Sequence, residues 1–132
     1  MRRLLVVEDD PAIGPMIKEI LRLEGFEVVI EADGMKAVTT LRSSHFDGAI
    51  LDVMLPGKDG ISILKEIRAD ASFGRIPVVM LTAKIDDTST WEGWKAGCDC
   101  YLPKPFDPEE LVSVVKRLQF VDPSPATNMR GR

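Results

Sequence analysis

Residues 76–81, Ile-Pro-Val-Val-Met-Leu, form a run in which no side chain is polar. A strand facing water on one side would alternate, so this run predicts a strand covered on both faces, as in a parallel sheet sandwiched between helices. It is read as the sheet centre. Shorter apolar runs elsewhere alternate with helical stripes. Arg3 to Val7 is a first strand; after Asp10 the spacing of Ile13, Ile17, Ile20 and Leu21 turns helical, with Asp10 as cap, Pro11 at the first position and Gly25 at the end. Glu27 to Glu31 reads as a second strand, Gly34 to about Ser44 as a helix, and Asp47 to Leu51 as a third strand ending on Asp52. A loop punctuated by Pro56-Gly57 precedes a third helix marked by Ile61, Leu64 and Ile67. Beyond the apolar run come a helix from about Asp86 to Ala96, a short strand near Asp99 to Leu102, and a last helix from Pro108 to about Gln119 capped by Asp107.

Five strand-then-helix units joined by right-handed crossovers predict a doubly wound α/β sandwich. A chain of 132 residues suits one core, so residues 1–120 are read as a single domain. Residues 121–132, with Pro123, Pro125 and Gly131, are read as a flexible tail or the stub of a linker. A formal charge of −4 provides no basic footprint, so direct nucleic-acid binding by this domain is not expected. The opening Met-Arg-Arg is followed by an apolar run that stops at Val7, too short for a secretory signal, and no stretch is long enough to span a bilayer. Cys98 and Cys100 make no disulfide framework. The expectation is a cytoplasmic chain without a membrane partner.

In an open parallel sheet, ligands bind at the carboxyl ends of the strands. Glu8-Asp9-Asp10 follow the first strand, Asp52 the third, Thr82 the fourth and Lys104 the fifth. Two carboxylates about 4 Å apart repel by roughly 4 kcal/mol at an effective dielectric near 20, so this cluster calls for a cation or raised pKa values. Oxygen ligands alone, with space for water and a phosphate oxygen, favour Mg²⁺. Thr82 and Lys104 are donors suited to the oxygens of a transferred phosphoryl group, and Asp52 is the candidate nucleophile that would become an acyl phosphate. Singly, each has an ordinary explanation: acids after a strand cap helices, and a lone Thr or Lys is solvated. The four strand ends together carry the reading.

The segments Leu4-Leu5-Val6-Val7-Glu8-Asp9-Asp10, Leu51 to Gly60, Leu81-Thr82-Ala83, and Ala96-Gly97 with Tyr101-Leu102-Pro103-Lys104-Pro105-Phe106 resemble the receiver domain of two-component response regulators over residues 3 to 119. The resemblance implies a flavodoxin-like sandwich with strand order 2-1-3-4-5 and five helices. It implies that Asp52 is phosphorylated by a sensor histidine kinase or phosphotransfer protein. It further implies Mg²⁺ held by Asp9, Asp52 and the Met54 backbone carbonyl, with Glu8 acting mainly through water. In such domains the hydroxyl at Thr82 and the ammonium at Lys104 bind phosphoryl oxygens, and the aromatic at Tyr101 turns inward when the hydroxyl moves. Lys104-Pro105 is expected to be cis. The moving surface, expected to be the fourth helix, fifth strand and fifth helix, would control an output protein or domain or a phosphorylation-dependent homodimer. Met54 and Lys84, two residues past Asp52 and Thr82, are expected to bear on phosphoryl lifetime.

Trp91 and Trp94 stand three apart on the expected fourth helix; Trp91 is read as core, and Trp94, nearer Tyr101, as core or an exposed anchor on the switching face. Asp86 and Asp87 are read as caps of that helix and His45 as a surface residue. Two other functions compete. A phosphatase or phosphotransferase working through an aspartyl phosphate would need a second acid two residues past Asp52 and a substrate cap, and the chain has Met54 there and no cap insertion. A receiver that binds partners without phosphorylation would not need the full set of site residues.

Overall fold

The structure, a computed structural model, describes residues 1–83 and 93–120. In chain order these form β1 (Arg3–Val7), α1 (Ile13–Leu23), β2 (Glu27–Glu31), a 3₁₀ turn (Gly34–Lys36) running into α2 (Ala37–Ser43), β3 (Gly48–Asp52), α3 (Gly60–Ala69) and β4 (Val78–Thr82). Helical residues 93–96 (α4), β5 (Cys100–Pro103) and α5 (Pro108–Lys116) complete the order. Lys84, Asp86, Asp87 and Trp91, and the tail expected from residue 121, lie outside the described residues.

Every strand pairing is parallel and the order is β2-β1-β3-β4-β5. The chain is therefore the doubly wound sandwich that the alternating pattern predicts, and strand order reverses between β1 and β3. Period-two alternation in the strands divides the core in two. Leu5, Val7, Ala49, Leu51, Val78 and Met80 pack with Leu41 of α2 and Ile63, Leu64 and Ile67 of α3. Leu4, Val6, Ile50, Val79, Leu81 and Leu102 pack with Ile17 and Leu21 of α1 and Leu111 and Val115 of α5. Each such fully buried aliphatic contributes roughly 1.5–3 kcal/mol, and their removal from water on both faces is what fixes the register.

The apolar run is an interior strand, but the sheet centre is β3, with β4 one place over. Continuous apolarity reports helices on both faces, a condition β3 meets equally: all five of its residues are buried, although Gly48 and Asp52 interrupt its pattern. Helix starts follow short side chains. Asp59 accepts the Ser62 N–H at 2.8 Å to open α3, and Asp107 and Glu110 form a reciprocal capping box on α5. Asp10 instead accepts the N–H groups of Ala12 and Ile13 at 2.8 and 3.4 Å, capping a turn that leads into α1, so the helix begins at Ile13 and not Pro11. At the other end, α5 stops at Lys116, yet apolar contact continues past it. Phe120 packs 6.2 Å from Phe26, with Arg2 4.8 Å above its ring. Among the described residues no helix is long and apolar enough to cross a membrane.

Candidate functional site

The register sets Val7 opposite Leu51 and Asp52 opposite Leu81. The first residue past β1 therefore stands level with the last residue of β3, and Glu8 meets Asp52 at the point where strand order reverses. Both are taken out of water, at 1% and 3% exposure, while Asp9 is exposed. The Asp10 N–H donates to Glu8 Oε2 at 3.0 Å, and the Met54 N–H donates to Asp52 Oδ1 at 3.0 Å. The turns after β1 and β3 thus hold the two carboxylates by their own backbone.

Lys104 arrives from the far side. Its backbone N–H extends the ladder beyond β5 by donating to the Thr82 carbonyl at 2.8 Å. Its Nζ lies 2.8 Å from Asp52 Oδ2 and 2.9 Å from Glu8 Oε1. The ammonium thus bridges the two buried carboxylates, and Lys104 is the close partner of Glu8 Oε1. The Lys104-Pro105 peptide is cis. Thr82 ends β4 at 1% exposure.

Glu8, Asp9 and Asp52 each bring a carboxylate oxygen within 4.8 Å of the others. Burial is the main force that pushes the Glu8 carboxyl above its ordinary value; Lys104 and the Asp10 N–H pull it back in part, and the charge on Asp52 adds to the rise. Burial alone would lower the Lys104 ammonium, but its hydrogen-bonding and charge contacts with Asp52 and Glu8 together outweigh burial and raise it. Two buried carboxylates therefore compete for one ammonium, which stays charged. A cavity of about 650 Å³ lies at the opposite pole, between residues 41–47 and 71–76, and none of the strand-end residues lines it.

Glu8, Asp9, Asp52, Thr82 and Lys104 come together at one sheet edge, and Met54 sits beside them with its side chain exposed. Tyr101 and Trp94 stand apart, on the β5 and α4 side, with ring centroids 5.6 Å apart in an edge-on arrangement. Gly60 escapes a reading based on reactive side chains. A Cβ there would fall 2.2 Å from the Asp52 carbonyl oxygen, so the start of α3 can press against the site only as glycine. The visible signal was a glycine directly after a helix cap, where a side chain is normally tolerated.

A doubly wound sheet with an acidic, lysine-bridged cluster at its switch point defines an α/β domain with its ligand-binding position at the carboxyl ends of the strands. The response regulator receiver domain family matches residues 4–116, and the chain belongs to it. The chain is 43% identical over 126 residues to the DNA-binding response regulator MtrA of Mycolicibacterium smegmatis, a match covering 95% of this chain and 54% of that protein. It is 41% identical over 118 residues to the transcriptional regulatory protein CpxR of Klebsiella pneumoniae, covering 89% of this chain and 49% of that protein. The chain thus spans about half the length of the curated relatives it matches. Among solved structures, the chemotaxis response regulator CheY4 of Vibrio cholerae superposes with a TM-score of 0.85 at 32% identity, covering 90% of this chain and 99% of that one. The receiver domain of the sensor histidine kinase PA1611 of Pseudomonas aeruginosa, which has a magnesium ion coordinated in its active site cleft, superposes with a TM-score of 0.81 at 35% identity, covering 89% of this chain and 96% of that one.

Proposed function

We propose that Asp52 is the phosphoacceptor of a signalling switch, taking a phosphoryl group from a phosphohistidine on a sensor kinase or phosphotransfer protein. One observation carries the reading: a buried Asp52 carboxylate is fixed by the Met54 N–H on one oxygen and by the Lys104 ammonium on the other. An Asp52 oxygen attacks phosphorus, an O–P bond forms, the P–N bond breaks, and its electron pair returns to the imidazole nitrogen. Lys104 then neutralises a phosphoryl oxygen, and the Thr82 hydroxyl, at the end of the neighbouring β4, donates to another.

The donor set suits a hard divalent cation. As carboxylates, Glu8, Asp9 and Asp52 exceed the single Lys104 charge by two, and the buried Glu8 and Asp52 share that one ammonium. Mg²⁺ would be held by Asp9, Asp52 and the Met54 carbonyl, with Glu8 reached through water. Bound there, it supplies positive charge against the phosphoryl oxygens. The reading takes the chain to be cytoplasmic and its output to lie in another protein or domain, reached through the α4, β5 and α5 surface. The DNA-binding and transcriptional relatives, about twice as long, support an output of that kind. The domain does not turn over a metabolite.

The test is intact mass after incubation with Mg²⁺ and a small phosphodonor such as acetyl phosphate. One phosphoryl adduct is expected on the wild type and none on Asp52→Asn. An adduct that persists in Asp52→Asn, or a wild type that takes none, overturns the assignment.

A further inference from the structure

Gly93 opens the described part of α4, and the structure supplies a packing reason for a residue without a side chain there. A Cβ built on Gly93 would lie 1.9 Å from the Tyr101 hydroxyl oxygen, 2.6 Å from Cζ and 2.9 Å from Cε2. These are ring atoms and the phenol oxygen of a stiff side chain, so no small adjustment at a flexible tip would relieve the clash. Tyr101 itself is half-buried and packs on the core cluster that also contains Met80 and Cys98. Its outer face is covered by Trp94, the next residue of α4, whose ring meets it at 65° with centroids 5.6 Å apart. Trp94 remains 48% exposed, so it covers the tyrosine and is not itself covered. An edge-on aromatic pair adds about 0.5–1.5 kcal/mol beyond the area it buries.

We propose that Gly93 and Trp94 form the floor and the lid of a slot that holds Tyr101 inward, so that residues 93 and 94 set the resting bias of the switch. The proposal rests on the phosphoacceptor reading only for its regulatory consequence; the slot itself stands on the packing. Tyr101 lies on β5 directly opposite Met80, two residues before Thr82 on the neighbouring strand, so its position and that of the strand end are mechanically linked. A conformation that disfavours the inward tyrosine therefore disfavours whatever at Asp52 requires it, by the same factor in both directions.

Tyr101 is the single tyrosine of the chain, so tyrosine labelling reports this residue alone. With 3-fluorotyrosine incorporated, the wild type is expected to give a ¹⁹F signal displaced from the solvent-exposed position by the Trp94 ring. Gly93→Ala, which improves helix propensity but fills the slot, is expected to move the signal to the exposed position while the far-UV circular dichroism stays unchanged. It is also expected to weaken binding of beryllofluoride with Mg²⁺, a phosphoryl mimic, by roughly 5-fold or more, the lower end of ordinary coupling between sites. Trp94→Ala removes the lid without adding a steric load and should move the signal too, which keeps the proposal testable if Gly93→Ala folds poorly. A signal that stays put in both variants overturns the slot. A moved signal with unchanged beryllofluoride affinity overturns the regulatory bias. A wild type that binds no beryllofluoride defeats the phosphoacceptor reading, and the ¹⁹F signal then still decides the slot by itself.

Discussion

Asp9→Asn isolates the electrostatic load of the acidic crevice. Asp9 is exposed and makes no side-chain hydrogen bond or ion pair among the described residues, so the substitution removes a charge without removing a contact. Its carboxylate lies within 4.8 Å of those of Glu8 and Asp52. With water-like screening each of those pairs repels by ~0.9 kcal/mol or a little more. Lys104, already engaged by the other two acids, offsets at most about one of them, which leaves roughly 1 kcal/mol. In EDTA, Asp9→Asn should therefore be more stable than the wild type by roughly 1 kcal/mol. With Mg²⁺ a hundredfold above its dissociation constant, the wild type should gain about 2.7 kcal/mol through linkage while the variant gains little, so the order inverts. Urea denaturation of both proteins, with EDTA and with Mg²⁺, reads the two differences from midpoints at a common slope. A variant less stable than the wild type in EDTA, or equal responses of both proteins to Mg²⁺, would refute the reasoning.

Gly60→Ala places a methyl group against the Asp52 carbonyl oxygen and should cost roughly 3 kcal/mol and slow phosphorylation, read by urea midpoint and by adduct formation. Arg68→Ala should cost a similar roughly 3 kcal/mol, because the guanidinium uses all five N–H groups on the carbonyls of Gly74, Ile76 and Gly97 and on Asp99; Arg68→Lys should recover little of it. Burial raises the Cys98 thiol from 9.0 to about 12, with the charge on Asp99 a smaller contribution. The native protein should accordingly leave Cys98 unalkylated by iodoacetamide near pH 8 while the urea-unfolded chain is modified, as peptide mass mapping would show. The same shift means that the unfolded chain ionises first, so stability falls as the pH rises from 9.0 toward 12, by up to about 1.4 kcal/mol per unit, and Cys98→Ala should lack that slope.

What could be read from the sequence follows from what each signal measures. A strand end is a property of local pattern, and in a parallel sheet of short crossovers all the strand ends lie on one edge; Glu8, Asp9, Asp52, Thr82 and Lys104 are therefore gathered by pattern alone. The place of the apolar run in the sheet could not, because β1, β3 and β4 are covered alike and burial carries no information about strand order. The same holds for every feature that depends on volume across long separations. Gly48 leaves the space that the Phe120 ring fills, with a Cβ there 3.3 Å from Phe120 Cε1 and 3.1 Å from Leu4 Cδ2. Neither residue announces the other 72 positions away, so the sequence shows no sign that Phe120 packs beside Gly48.

The same distinction separates the chemistry of the crevice from its coupling to the surface. Attack and charge neutralisation need particular atoms at the sheet edge, and those atoms have a residue type that a sequence displays. Coupling needs two arrangements of packed side chains with different free energies, and the residues that set the difference need have no reactive group at all. Gly93 contributes an absence of volume and Trp94 an excess of it, both on α4 against Tyr101 of β5, two strands from Asp52 of β3 in the sheet order. A chain can therefore keep every strand-end residue and still differ from its relatives in how far the switch rests toward the inward tyrosine, and the place to look for that difference is the slot and its lid.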